Sequence, residues 1–250
     1  MPSPSRRPIG SVARALAALD VLAESDAGLG VNELARRIGV NASTASRLLG
    51  TLEAAGVVER AAGGPYRLGL KLVALSDRVL AQLDVRERAR PWLSWLGEQT
   101  GETVTLSVAG GEEAITVDFV PAPSSVASMA RLGRPSVPHA TAAGKVMLAF
   151  APPTAIPSVL PAYTEHTITD PAVLAGELEA VRRQGVAEAV GERESDLNAL
   201  AAPVIGRGGE LVAIVGVQGP AARLPAGKRR AVRAPLRRAA EEIGRSLGGP

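Results

Sequence analysis

The chain has no cysteine among its 250 residues, which removes both a disulfide framework and a thiolate metal site. Its two histidines, His139 and His166, do not assemble a convincing zinc site, so neither a metal nor a cofactor is expected. Aromatic side chains make up only 2% of the residues, and both tryptophans fall close together at Trp92 and Trp95. No stretch approaches the roughly twenty uninterrupted apolar residues of a membrane span. The opening MPSPSRRPIG carries two arginines with no apolar core behind them. It therefore reads as a disordered arm over residues 1–8 rather than an export leader, and a cytoplasmic location is expected.

What is present suffices for two modest domains, with 46% hydrophobic residues. The net charge of +3 is unevenly spread. Residues 1–67 carry eight basic and six acidic groups, whereas Arg223–Pro250 carries eight basic and two acidic ones. In the latter stretch Arg229, Arg233 and Arg237 share one helical face, opposite an apolar stripe of Val232, Leu236, Ile243 and Leu247. A solvated face of a terminal helix is expected there, with an auxiliary anion contact as the alternative.

The most informative segment is Val31–Gly50, VNELARRIGVNASTASRLLG. Val31, Leu34, Ala35 and Ile38 fall on one helical face, and Gly39 supplies backbone freedom for a sharp turn. A second helix can begin at Asn41, an N-cap type, and bury Ala45, Leu48, Leu49 and Leu52. Ala35 must be small where the two helices cross. This leaves short polar groups and one guanidinium pointing outward: Asn41, Ser43, Thr44, Ser46 and Arg47. Such a set at a helix N-terminus suits base edges and phosphates in a DNA groove. An ordinary core helix pair uses the same apolar spacing, so the decision rests on the flanks.

Downstream, VVERAAGGPYRLG reads as strand, Gly-Gly-Pro turn and strand, which makes a wing. Arg60, Tyr66 and Arg67 flank its turn, where they could touch phosphates or a minor groove. Tyr66 could equally pack the hairpin onto the helices, as Leu68 is expected to do. Upstream, Val12, Leu16, Leu19 and Leu22 form the stripe of a supporting first helix. Residues 9–69 thus read as a winged helix-turn-helix domain.

A linker helix is expected over residues 70–86, with Leu72, Leu75, Val79 and Leu83 in step. Residues 87–250 then form a second domain. Pro91 starts or kinks a helix containing both tryptophans, and Thr100-Gly101 ends it. TVTLSVA and EAITVDFV make a hairpin about Gly110-Gly111, and SMARLGR could add a strand. Helices are expected over Thr141–Phe150, near Pro153–Leu160 and over Pro171–Gln184. Strands VAEAV, LAAPVI and LVAIVGV follow, then the terminal helix. Strands with segregated helices indicate an α+β fold.

Catalytic logic is hard to find in that domain. Ser136, His139 and Asp170 could be drawn as a triad, but no GxSxG surrounds any serine. The AAGK of Ala142–Lys145 lacks the leading glycine and the Ser or Thr of a phosphate loop. Lys145 is expected as a helix-start contact or salt-bridge partner, and the GERESD run of Gly191–Asp196 as a solvated or partly paired loop.

Several ordered motifs together carry a resemblance: STASRLLGTLEAAGVVER with PYRLG, PHATAAGKVMLAF, and GVAEAVGERESDLNALAAPV running into GELVAIVGVQGPAARL. From about Ser11 to Leu247 the chain resembles the IclR family of bacterial transcriptional regulators. The resemblance implies an N-terminal winged helix, a linker helix and a C-terminal GAF-like α+β effector-binding domain. It also implies dimers or tetramers that bind double-stranded operator DNA and respond to a small-molecule effector. In members that sense small oxoacids the pocket holds an acidic residue, a cysteine and two serines. This chain places Ala189, Ala199, Gly216 and Gln218 at those points. A bulkier, partly apolar effector is therefore expected, contacted by some of Met129, Leu132, Ala142, Ala189, Asn198, Ala199, Gly216 and Gln218. Two other readings stay open at this stage: an enzyme that uses its winged helix for protein interaction, and an architectural DNA binder that needs no ligand.

Overall fold

The computed structural model describes residues 9–62, 64–81, 83–123, 130–151, 156 and 158–249. They form two compact units, residues 1–82 and 83–250. The expected arm over residues 1–8 and the candidate Met129 lie outside the described residues, as do four of the eight residues of the helix expected near Pro153–Leu160, whose other four are not helical.

In the first unit the order is α1 (Gly10–Ala23), α2 (Val31–Arg37), α3 (Ala42–Ala54), β1 (Val58–Arg60), β2 (Tyr66–Leu68) and α4 (Lys71–Ala81). Gly39 lies between α2 and α3 at φ +68°, a left-handed conformation that a side chain would strain. The Asn41 Oδ1 accepts the Thr44 amide at 2.8 Å and so sets the first turn of α3. Leu34, Ala45 and Leu49 are buried where the two helices meet, and Ala18, Leu22, Leu29, Val58 and Tyr66 complete the core. β1 and β2 pair antiparallel, with Val58 opposite Leu68 and Arg60 opposite Tyr66.

Two sequence expectations need correction here. On α1 the buried side chains are Ala18 and Leu22, whereas Val12 and Leu16 are 52% and 57% exposed. The stripe spacing was right for a helix, but only its C-terminal half reaches a neighbour. The helix expected over 70–86 is divided, since α4 ends at Ala81 and α5 begins at Asp84.

The second unit contains α5 (Asp84–Thr100), β3 (Thr103–Gly110), β4 (Glu113–Val120), β5 (Pro135–Ser136), α6 (Ala142–Phe150), α7 (Pro171–Gln184), β6 (Ala187–Val190), β7 (Leu197–Ile205), β8 (Leu211–Pro220) and α8 (Ala226–Ser246). Its strands form one antiparallel sheet in the order β5-β4-β3-β8-β7-β6. Alternation along the strands sorts the side chains to two faces. Gly97 of α5 lies against Val104 and Val120, and Gly244 of α8 against the backbone of Ile205. On the opposite face Ala114, Ala187, Ala201 and Ile214 join α6 and α7 in a second core cluster. The result is an α+β domain with helices on both faces of its sheet.

Helix ends follow local chemistry. Thr141 Oγ1 accepts the Gly144 amide and caps α6, and Asp170 Oδ1 accepts the Ala172 amide and caps α7. Gly144 owes its presence to packing: a Cβ there would run into the carbonyl oxygen of Val137 and the backbone of Pro138. The glycine of the AAGK motif thus serves close approach rather than phosphate binding. The basic face of α8 is not simply solvated either. Arg229 and Arg233 both pair with Glu188 on β6, at 3.0 and 2.8 Å, while Val232, Leu236 and Ile243 are buried beneath.

Candidate nucleic-acid face and ligand cavity

On α3 the side chains of Asn41, Ser43, Ser46 and Arg47 are exposed and Thr44 is half-buried. Burying Ala45, Leu48, Leu49 and Leu52 inward leaves this polar set on the opposite side, as the 3.6-residue period requires. Asn41 uses its side-chain oxygen for the cap, which holds the exposed side chain in place with its amide nitrogen open to an outside acceptor. Arg47 makes no salt bridge among the described residues, which leaves its guanidinium available.

The wing arginines are oriented within the hairpin. Arg60 donates to the Gly64 carbonyl at 3.3 Å and stacks over the Tyr66 ring at 5.3 Å. Arg67 pairs with Glu59 across the strands at 2.7 Å. Tyr66 itself is 7% exposed and packs in the domain core, so its ring supports Arg60 and is not a contact with an outside groove. Of the two roles open to Tyr66 in the sequence, packing is the one the fold uses. Arg36 and Arg37 also lie at the surface, and Glu33 pairs with both at 2.7 and 2.8 Å. Hydrogen bonds from Arg36 and then Arg37 hold the Glu33 carboxyl at a pKa of about 2. The spacing of Glu33 three and four residues before these arginines is the sequence signal for this clamp.

In the second domain the sheet register builds a cavity. Ala189 stands opposite Ala199, Ala199 opposite Gln218, and Ala201 opposite Gly216, which in turn faces Thr105. These cross-strand rows of small residues leave space under the first turn of α6, where Ala142 and Ala143 close one side. A Cβ at Gly216 would come within 2.6 Å of the Thr105 hydroxyl, so that space is kept for the threonine. The centre of a water-sized sphere can move through about 70 Å³ of the cavity, and all its empty space, open solvent at the mouth included, comes to about 680 Å³.

Five residues expected at an effector site, Ala142, Ala189, Ala199, Gly216 and Gln218, line this cavity. Two others stand elsewhere. Asn198 is buried and donates its amide to the Leu224 carbonyl at 3.1 Å, because strand alternation turns it away from its neighbour Ala199. Leu132 is 47% exposed and outside the lining.

The lining also contains polar groups that pattern reading missed: the hydroxyls of Thr105, Ser107 and Thr116, and the charges of Arg134, Glu192, Arg193 and Glu194. The hydroxyls sit on β3 and β4, at positions whose alternation was visible but whose partner strand β8 was not. Glu194 accepts from Arg134 at 2.6 Å and lies 3.6 Å from Arg193, which ties the charges at the rim to one another. Lys145, 1% exposed, pairs with Glu192 at 2.7 Å and donates to the Glu188 carbonyl at 3.0 Å. Burial pushes the Glu192 carboxyl up, against the pull of the Lys145 charge. The GERESD run is therefore a partly paired loop: Glu192 is its buried corner in the cavity, Arg193 and Glu194 are paired at the rim, and Ser195 and Asp196 are exposed. His139 and Asp170 are occupied with the Pro161 carbonyl and the α7 cap, so they do not form a triad with Ser136.

Comparison with known proteins agrees with this division. Residues 11–62 match the IclR helix-turn-helix domain, and residues 77–245 match the bacterial transcriptional regulator IclR C-terminal domain. The chain is 31% identical over 249 residues to the HTH-type transcriptional regulator XynR of Escherichia coli, covering 97% of this chain and 98% of XynR. The crystal structure of the Thermotoga maritima IclR superposes with a TM-score of 0.71 at 30% identity, covering 96% of this chain and all of that one. An IclR homolog from Microbacterium hydrocarbonoxydans, solved in complex with 4-hydroxybenzoate, gives a TM-score of 0.77 at 25% identity, with 95% and 98% covered. These relatives are regulators rather than enzymes, and among the described residues no helix is long and apolar enough to cross a membrane. With a DNA-binding helix-turn-helix domain followed by an effector domain, the chain belongs to the IclR family of bacterial transcriptional regulators.

Proposed function

We propose that this regulator reads operator DNA with Ser43, Thr44, Ser46 and Arg47 of α3, assisted by the Asn41 amide, while Arg60 and Arg67 of the wing hold the phosphate backbone. The observation that carries this reading is the free, exposed Arg47 among short hydroxyls on the face of α3 opposite its buried residues. A guanidinium there is suited to the bidentate acceptors of guanine. Val12 and Leu16 of α1 and Val73, Leu75 and Val79 of α4 are apolar and at least half exposed, which supports self-association as a dimer or tetramer. Two copies would place two recognition helices on a pseudo-palindromic site in the cytoplasm.

In a footprint at the region upstream of its own gene, Arg47→Ala is expected to lose specific protection, with affinity falling about 5- to 150-fold per half-site. Undiminished binding to both specific and nonspecific DNA would remove Arg47 from the recognition face.

The effector in this reading is a small, partly apolar compound held in the cavity of the second domain. Alanines at 142, 189, 199 and 201 supply its apolar wall, and Gln218 supplies an amide. The complex of a structural neighbour with 4-hydroxybenzoate, a ring with polar ends, supports the same ligand class. Binding then shifts the operator-bound population in proportion to its differential affinity for the DNA-bound and free forms. Calorimetry with aromatic and aliphatic acids is expected to find a binder that weakens about tenfold in Gln218→Ala. Tight glyoxylate binding unaffected by that change would overturn this view of the effector.

A further inference from the structure

The floor of the cavity changes character across the sheet. In one row Ala187 of β6, Ala201 of β7, Gly216 of β8 and Thr105 of β3 stand side by side. Directly paired residues point to the same face, and Ala187 and Ala201 place that face under α6. Toward β6 and β7 the floor is methyl groups, whereas toward β3 and β4 it is the hydroxyls of Thr105, Ser107 and Thr116. Gly216 is the seam. The hydroxyls are poorly satisfied. Thr103, two residues away, gives its Oγ1 to the Ala122 amide at 3.1 Å. Thr105 Oγ1 makes no hydrogen bond among the described residues, although the residue is only 8% exposed. Ser107 and Thr116 meet each other at 3.5 Å, beyond the roughly 2.5–3.0 Å of a good O–H···O bond. Valine has the shape of threonine, so packing gives no reason for a polar atom at 105. Nor is that atom covered from the seam: it stands 2.6 Å from where a Cβ of residue 216 would lie, and glycine leaves that side open.

We infer that Thr105 is a specificity-determining residue of the effector site: its hydroxyl bonds an uncharged oxygen of the effector, while hydrocarbon of the same molecule lies across Gly216 on Ala199 and Ala201. This rests on the reading of the cavity as the effector site. The ligand class is then a compact molecule with a carbonyl or hydroxyl oxygen on one edge and hydrocarbon on the other. An ionised group is mismatched to this part of the floor, because the three hydroxyls bring no charge and Arg134 and Arg193 are tied to Glu194 at the rim. A plain hydrocarbon edge would leave the Thr105 hydroxyl buried without a partner. A threonine hydroxyl can donate or accept, so it serves either kind of oxygen.

The test uses the full chain and acids close in shape, with oxygen in one member where the other has carbon: 4-hydroxybenzoate with 4-methylbenzoate, 4-acetylbenzoate with 4-isopropylbenzoate, and 4-oxopentanoate with 4-methylpentanoate. Calorimetry is expected to find at least one pair in which the oxygen-bearing member binds about fivefold or more tightly. In Thr105→Val, which keeps the shape and removes the hydroxyl, that gap should shrink to about twofold or less, whereas Thr105→Ser should retain it. Stability without ligand separates selection from support. Thr105→Val should unfold in urea at the parent's midpoint or above it, because it removes a buried hydroxyl that the fold leaves unpaired. A midpoint below the parent's would assign the hydroxyl to the fold and overturn the inference. Equal binding within every pair, no binding by any oxygen-bearing member, a gap that survives Thr105→Val or one that Thr105→Ser loses would do the same. Filling the cavity with Ala199→Phe tells this failure from that of the cavity itself. Binding that is lost there but ignores Thr105→Val refutes only the role of Thr105, and binding that persists there refutes the cavity as effector site.

Discussion

Lys145→Met is expected to destabilise the effector domain by about 3–5 kcal/mol, the usual cost of removing one partner from a buried charge pair. Lys145 lies in α6 at 1% exposure, and its ammonium meets Glu192 at 2.7 Å, the Glu188 carbonyl at 3.0 Å and Glu177 at 3.8 Å. Methionine fills the stem's volume but leaves the buried Glu192 carboxylate without its opposite charge. The consequence reaches three elements at once, because the ammonium ties α6 to β6 and to the loop after it. Trp92 and Trp95 both belong to α5 of this domain, and their edge-on rings, 5.7 Å apart, make a local fluorescence probe. Urea unfolding followed at these tryptophans should show a lower midpoint at unchanged slope. Removing Glu192 as well should restore much of the loss, since a neutral pair carries no desolvation debt. A shift below about 1 kcal/mol for the single variant would mean that the pair is not a structural element.

Leu49→Ala should cost the DNA-binding domain about 2–5 kcal/mol. Leu49 is fully buried on α3 and packs in the cluster with Leu22, Leu34, Val58 and Tyr66. The domain is small, so its core has few other side chains with which to close the cavity. No tryptophan lies in this unit, and hydrogen exchange is the suitable measurement. Amides of α3 in the full chain are expected to exchange roughly 30- to 5,000-fold faster, the population change that corresponds to that free energy. Arg47→Ala, by contrast, should leave exchange unchanged while weakening operator binding. The two variants thus separate losing the helix from losing its contact, and parent-like protection in Leu49→Ala would show that α3 does not depend on this side chain.

The helix-turn-helix was legible because its signals are local. A short helix, a glycine free to take φ +68°, an Asn41 cap and a 3.6-residue apolar period all lie within twenty residues. Most strands and helices of the second domain were legible for the same reason, from alternation, Gly-Gly turns and caps such as Asp170. The helix-start reading of Lys145 as a salt-bridge partner also held, although its partner Glu192 lies 47 residues away.

The misreadings share one cause, which is that periodicity states that a face is apolar or polar but not what stands opposite it. Val12 and Leu16 have the spacing of a core stripe yet are 52% and 57% exposed, with no cover among the described residues of their unit. The arginines of α8 have the spacing of a solvated face, yet Glu188 of β6 meets two of them. Tyr66 and Asn198 each had a polar tip that looked available, and each is buried by its position on a strand.

By itself, then, the amino-acid order determined which segments are helix, turn and strand, that a recognition helix is present, and which family the chain resembles. Those properties depend on backbone preferences and on contacts a few residues apart. Only the tertiary structure decided the cavity, since β3, β7 and β8 bring Thr105, Ala201 and Gly216 into one row across more than a hundred residues of chain. It alone decided that Glu192 is buried against Lys145, because burial and desolvation belong to the assembled domain rather than to any segment of it.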